Sequence, residues 1–250
     1  MQLGSAATLA PSAGAAFRKK GACMIRFLLM VVAWVCATSF PARAASLSVS
    51  PINLSVAAPG NQTRMTIRNE TDRAITVQVR VFRWTLRNGR DYYETTQDVV
   101  VSPPISRLRG RADLQVRIVR TATGAIKGEQ TYRVVVDEVP DANRVRNLGV
   151  NVALRYTLPL FFISPDASQP RLNFTVRGGG KRRLLVVTNS GDRHVRLSNV
   201  SIGKSRVHRG LAGYVLGHST RTFDLPASAP SSGTITAITG QGKLNARISR

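Results

Sequence analysis

Thiol chemistry is almost missing from this sequence. Of its 250 residues only two are cysteines, Cys23 and Cys36, and both fall within the first 44. The later part therefore has no disulfide and no thiol nucleophile, and packing alone must hold it. Histidine is equally scarce. His194, His208 and His218 are the only three, and they lack ligand spacing, which excludes a metal centre. Acidic residues number 13 against 36 basic ones, a net charge of +23. Asp137-Glu138 is the notable carboxylate pair, and it closes a strand, as a structural landmark does. Aromatic residues make up 6% of the chain, too few for the platforms of a carbohydrate-active enzyme. No nucleophile elbow surrounds a serine. Gly178-Gly-Gly-Lys181 lacks the spacing of a phosphate loop and reads as a turn. These absences argue against an enzyme and against any cofactor or metal. No stretch of 12 residues keeps a helical period.

Long apolar runs are also few. The main one begins at Met24-Ile-Arg-Phe-Leu-Leu-Met-Val-Val-Ala and closes at Phe40-Pro-Ala-Arg-Ala44. A basic start, an apolar core of about a dozen residues and a small-x-small end form a secretory signal peptide. The run is shorter than the roughly 20 residues of a spanning helix. Residues 1–44 are therefore expected to leave the protein, with cleavage after Ala44 and release into the periplasm as a chain that spans no membrane. Residues 1–23 either extend the basic region or precede the true start at Met24. The leader holds Arg18, Lys19, Lys20, Arg26 and Arg43 and no acid. Removing those five from the 36 leaves 31 basic residues against 13 acidic ones, a net +18.

What remains reads as strands. Thr76-Val-Gln-Val-Arg-Val-Phe-Arg-Trp84 alternates, as does Arg64-Met-Thr-Ile-Arg68. Leu114–Val119 and Tyr132–Val136 are rich in β-branched residues. A period of two marks half-buried strands. Asn88-Gly89 between two such runs signals a hairpin. The spacing predicts about seven strands over 45–163, an immunoglobulin-like sandwich. Residues 164–170, bracketed by Pro165 and Pro170, predict a linker. Shorter strands and Gly/Ser turns over 171–250 predict a second sandwich. The expected fold class is all-β, two immunoglobulin-like sandwiches set at an angle with a cleft between them.

One segment is unusual. From Asn147 to Phe162 the pattern stays extended for about 16 residues, whereas a strand typically has five or six. Leu148, Val150, Val152, Leu154, Tyr156 and Leu158 share one face. Such a ridge needs cover along its whole length. It is either a long central strand or an edge strand that lends its ridge to a partner.

Val101-Ser-Pro-Pro-Ile-Ser-Arg-Leu-Arg-Gly110, Gln115-Val-Arg-Ile-Val-Arg120 and Tyr132-Arg-Val-Val-Val-Asp-Glu-Val-Pro140 resemble, in order, the landmarks of periplasmic pilus chaperones of the chaperone–usher pathway, the PapD-like proteins. The Leu158-Pro-Leu-Phe161 ending, with Arg155 before it, is similar to the archaic branch that serves spore-coat-U-type subunits. The resemblance covers 46–163 well and 171–250 by size and pattern. It implies a binding protein that completes pilin or fimbrial subunits by donating a strand, then delivers them to an outer-membrane usher. Leu148, Val150, Val152, Leu154 and Tyr156 would be the donor ridge. Between captures that ridge could self-associate. The family fixes the subunit's terminal carboxylate with two basic residues, but Asn53 and Pro159 stand at those positions. Arg155 and Arg117 are the nearest basic replacements. The alternative is an exported structural sandwich of a surface assembly, which would more naturally be a single sandwich.

The cationic balance completes the reading. Basic residues are scattered through both halves, so a generally cationic surface is expected rather than one site. Export argues against nucleic acid as the partner.

Overall fold

A computed structural model describes residues 46–140, 153–179, 182–226 and 228–249. Among these residues every regular element is a strand. The first ten are β1 (Leu47–Ser50), β2 (Leu54–Ala57), β3 (Gln62–Asn69), β4 (Ile75–Arg87), β5 (Arg90–Thr95), β6 (Val99–Ser102), β7 (Ile105–Leu108), β8 (Asp113–Arg120), β9 (Glu129–Val139) and β10 (Arg155–Ile163). One sheet runs β1-β3-β8-β6; the facing sheet runs β2-β10-β9-β4-β5, with β7 also on β4.

Prolines explain why ten strands appear where the spacing predicts about seven. Pro51 interrupts the first strand: β1 pairs with β3, and β2 crosses to β10 in the other sheet. Pro103-Pro104 does the same between β6 on β8 and β7 on β4. Proline has no N–H to extend a ladder, so an edge strand changes sheets there. Asn88 and Gly89 both have positive φ, 51° and 77°, and join β4 to β5 as the hairpin signal predicts.

The alternation becomes a core. Met65, Ile67, Val77, Val79, Val116, Ile118, Tyr132, Val134, Leu158, Leu160 and Phe162 are buried between the two sheets. Fully burying each such side chain is worth roughly 1.5–3 kcal/mol.

The second sandwich comprises β11 (Leu172–Gly179), β12 (Arg182–Asn189), β13 (Val195–Ile202), β14 (Ser205–Arg206), β15 (Leu211–Val215), β16 (Ser219–Leu225), β17 (Thr234–Thr239) and β18 (Gly242–Arg247). β11-β12-β16 faces β14-β13-β17-β18, with β15 on β13. Phe174, Leu185, Val187, Leu197, Val200, Val215 and Ile235 fill its interior. Two residues of the expected glycine turn, 180 and 181, lie outside the described residues; the strands on either side pair Gly179 with Arg182.

A third apolar cluster joins the two cores. Trp84 and Phe161 from the first sandwich meet Tyr214 and Leu216 from the second. The linker is pinned rather than loose. Ser164 donates its backbone N–H to Gly128, and Ser168 donates both its N–H and its hydroxyl to Asp192.

Candidate functional site: a free strand edge beside an arginine-floored cleft

β10 has two unlike edges. Along one it pairs with β9 over its whole length, from Arg155–Asp137 to Ile163–Glu129. Along the other, β2 covers only Leu160–Ile163, in parallel. Among the described strands, Arg155–Pro159 has no neighbour on that side. The ladder also continues upstream, where Glu138 N–H donates to Leu154 O at 2.9 Å. A row of unpaired main-chain groups on a sheet edge is a template for another strand.

The side chains of this edge follow the alternation. Leu154 and Tyr156 are half-buried and pack against the first core. The Tyr156 hydroxyl donates to Leu47 O at 2.6 Å, which fixes the phenol across the two sheets. Leu148, Val150 and Val152 lie outside the described residues.

The opposite face of the same sheet forms the floor of a cleft toward the second sandwich. Arg155 sits on this face and pairs with Asp137, which Arg80 also engages at 2.6 Å. Burial works against the Asp137 charge, but Arg155 and Arg80 outweigh it and hold its carboxyl below the usual range. Arg117 is elsewhere. It lies on β8 in the other sheet, exposed, with its guanidinium on Gln62 Oε1. The structure therefore does not bring Arg155 and Arg117 together.

A third arginine, not singled out by the sequence reading, occupies the cleft. Pro159 pairs across the ladder with Arg133 on β9, and Arg133 pairs with Phe82 on β4. On the far side of Pro159, Asn53 immediately precedes Leu54, the partner of Leu160. Asn53, Pro159, Arg133 and Phe82 thus follow one rung, and Arg133 is its one cation. Its guanidinium lies 3.6 Å over the Trp84 ring and 5.2 Å from that of Tyr214. Arg133 is 9% exposed, and its Nε is buried with no hydrogen-bond partner. Burial lowers its pKa, and the neighbouring Tyr93 and Asp91 oppose that shift. A buried guanidinium with a spare donor is costly unless an anion completes it. The signal for Arg133 needs the ladder register, because in sequence it is only an outward residue of an alternating strand.

The cleft wall is polar at two points. Arg221 on β16 grips Asp91 on β5 with both nitrogens at 2.9 Å. Burial pushes the Asp91 carboxyl up, but Arg221 and the Trp84 N–H outweigh it and hold it below its ordinary value. Glu129, whose side chain is fully buried, accepts from the His194 backbone N–H at 3.0 Å and contacts the imidazole Nδ1 at 2.8 Å. That imidazole stacks on Phe161 at 3.6 Å. Beside them is a cavity of about 410 Å³, bordered by Asn53, Ile163, Arg193, Arg196 and Gln241. Among the described residues no cluster of His, Cys, Asp or Glu could hold a metal. No described helix is long and apolar enough to cross a membrane.

Comparison with known proteins puts this geometry in context. Residues 46–169 match the family described as pili and flagellar-assembly chaperone, PapD N-terminal domain. A chain of the CsuC–CsuE chaperone–tip adhesion subunit pre-assembly complex, from the archaic chaperone–usher Csu pili of Acinetobacter baumannii, superposes with a TM-score of 0.67 and 25% identity. That match covers 82% of this chain and 98% of that one. The E. coli chaperone DraB matches with a TM-score of 0.60 and 22% identity over 82% and 97% of the two chains. The Salmonella enterica SafA pilin–SafB chaperone complex matches with 0.62 and 21% over 81% and 96%. The last two carry the fold alone. No curated protein matches by sequence.

Proposed function

Since this chain is a PapD-like pilus chaperone, we propose that it captures pilin-type subunits by adding its own strand to theirs, grips their terminal carboxylate at Arg133 and hands them to an outer-membrane usher. The observation that carries the reading is the free edge of Arg155–Pro159 lying on the same strand as the Asn53–Pro159–Arg133 rung. Main-chain bonds along the edge give affinity, and alternate side chains fill the partner's groove. On this reading Leu148, Val150, Val152, Leu154 and Tyr156 form the inserted ridge. A fully exposed member is worth roughly 1.5–3 kcal/mol when buried, and Leu154 and Tyr156, already half-buried against the first core, add less. Association costs of several kcal/mol reduce the total.

The carboxylate grip falls to Arg133 because it alone supplies a cation on the rung where Asn53 and Pro159 stand. Its planar fork suits a carboxylate. Of the other two arginines, Arg155 shares the cleft face but is engaged by Asp137, and Arg117 belongs to the other sheet. Members of the family work in the periplasm, and the leader over Met24–Ala44 supplies the route. Between captures, a second copy could cover the free ridge.

Val152→Asp tests the reading. It places a charge where the subunit's groove is apolar and dry, so co-purification of a co-expressed subunit is expected to be lost. The melting temperature of the free chain should barely move, because the carboxylate then sits in water. Retained capture would exclude this strand as the donor. Unfolding of the free chain would show it to be a core strand instead. Arg133→Gln should weaken capture strongly while leaving the ridge intact.

A further inference from the structure

Arg133 is not set by its own sandwich alone. The ring beneath it, Trp84, has a single donor, and that N–H goes to Asp91 Oδ1 at 2.8 Å. Asp91 is in turn gripped by Arg221 from the second sandwich, whose Nη1 also donates to Tyr214 O at 3.0 Å. One line of contacts therefore runs Arg221–Asp91–Trp84–Arg133, from β16 to the cleft floor. The geometry points to Asp91 as a positioning residue whose capture by Arg221 keeps Arg133 open for a partner's carboxylate, so that the grip exists only while the two sandwiches are docked. This rests on the reading of Arg133 given above.

Two arginines compete for a single carboxylate. Asp91 and Arg133 flank the same indole, and each senses the other's charge. Arg221 offers Asp91 two parallel charge-assisted bonds, the stronger geometry. While that fork is engaged, Asp91 fixes the indole edge-on and cannot turn to Arg133. Without it, the ionised Asp91 is left with the charge of Arg133 on the same indole, and turning to it would put an internal carboxylate in the place meant for the subunit's. Tyr93 borders the same group. Burial, together with the charge of Asp91, raises its phenol, so it stays a neutral acceptor for Arg133 and does not compete as an anion.

The exported chain offers a direct test, because Trp34 leaves with the leader and Trp84 is then its one tryptophan. N-acetyl-triglycine, as free acid and as amide, is titrated against the chain beginning at Ala45 while Trp84 emission is followed. The free acid should shift the emission saturably, the amide should not, and Arg133→Gln should abolish the response. Arg221→Gln should weaken free-acid binding at least tenfold. Adding Asp91→Asn to Arg221→Gln should restore it to within about threefold of wild type, because the amide still accepts the indole N–H but cannot neutralise Arg133. A merely structural bridge would give a double variant no better than the single. That result, or Arg221→Gln binding within twofold of wild type, overturns the inference while leaving Arg133 as the grip. A wild-type chain that ignores the free acid overturns the Arg133 reading and the inference with it. Should Arg221→Gln lose its sheet spectrum, Arg221→Lys, which keeps the charge without the fork, is held to the same thresholds. Arg111→Gln, far from the cleft, controls for a lost surface charge.

Discussion

The two sandwiches turn the same corner with nearly the same residues. Asn69-Glu-Thr-Asp-Arg73 ends β3, and Asn189-Ser-Gly-Asp-Arg193 ends β12. In both, the asparagine is fully buried. Its amide donates to the arginine carbonyl four residues on, at 2.6 Å for Asn69 and 2.8 Å for Asn189. In both, its Oδ1 accepts the N–H two residues on. In both, a glycine from a later loop lies against the aspartate carbonyl: a Cβ on Gly110 would come within 2.3 Å of Asp72 O, and one on Gly217 within 1.9 Å of Asp192 O. The aspartate side chains differ in use. Asp72 is exposed and pairs with Arg111 on the surface. Asp192 reaches the linker at Ser168 and also meets His218. One local solution is thus a plain corner in the first sandwich and a fastening for the linker in the second.

That comparison can be broken at graded cost. Asn69→Ala and Asn189→Ala should be the most damaging, because each strands several buried main-chain groups at roughly 1–3 kcal/mol apiece. Calorimetry should show melting falling by roughly 5–15 °C in both. If only one fell, the corners would not be equivalent. Gly217→Ala and Gly110→Ala should follow, each forcing the backbone apart for about 1–3 kcal/mol. Asp192→Asn should destabilise less, yet raise the rate of proteolytic cutting at 164–170, which Asp72→Asn should not. Asp72→Asn should change stability by less than about 0.5 kcal/mol.

Acid sharpens the same contrast. The hydroxyl and N–H of Ser168, then His218, hold the Asp192 carboxyl far below its ordinary 3.8. A depressed pKa contributes stability that is fully present above the unfolded value and is lost as pH falls through the folded one. The melting difference between wild type and Asp192→Asn should therefore be fully present at pH 5. It should shrink progressively below about pH 4. A difference that grew on acidification below about pH 4 would contradict the assignment.

Much of this was legible in the sequence, and the exceptions have physical causes. Alternation gave β3, β4, β8 and β9 because one face of each is buried and the other wet. The sequence pattern predicts a strand too long and too apolar for its own sheet; the described part of it is β10, Arg155–Ile163, and Leu148, Val150 and Val152 lie outside the described residues. The strands Leu211–Val215, Thr234–Thr239 and Gly242–Arg247 were not read out, because small residues and turns blur their period. The sheet switches at Pro51 and Pro103 make ten strands from about seven. Arg133 was invisible for a different reason. Its role depends on which residue faces Pro159 across the ladder, and a single strand carries no information on its neighbour's register. The repeated Asn-x-x-Asp-Arg corner was present in the letters throughout.

The short cover that β2 lays on β10 has one more consequence. It begins at Leu160 and occupies the edge through Ile163. A strand added along the free stretch therefore meets an end-stop beyond Pro159 and can slide in one direction only. A slip of one residue would turn every inserted side chain to the wrong face. On the proposed reading the edge would serve as a ruler with a fixed zero, an incoming chain being measured from the stop.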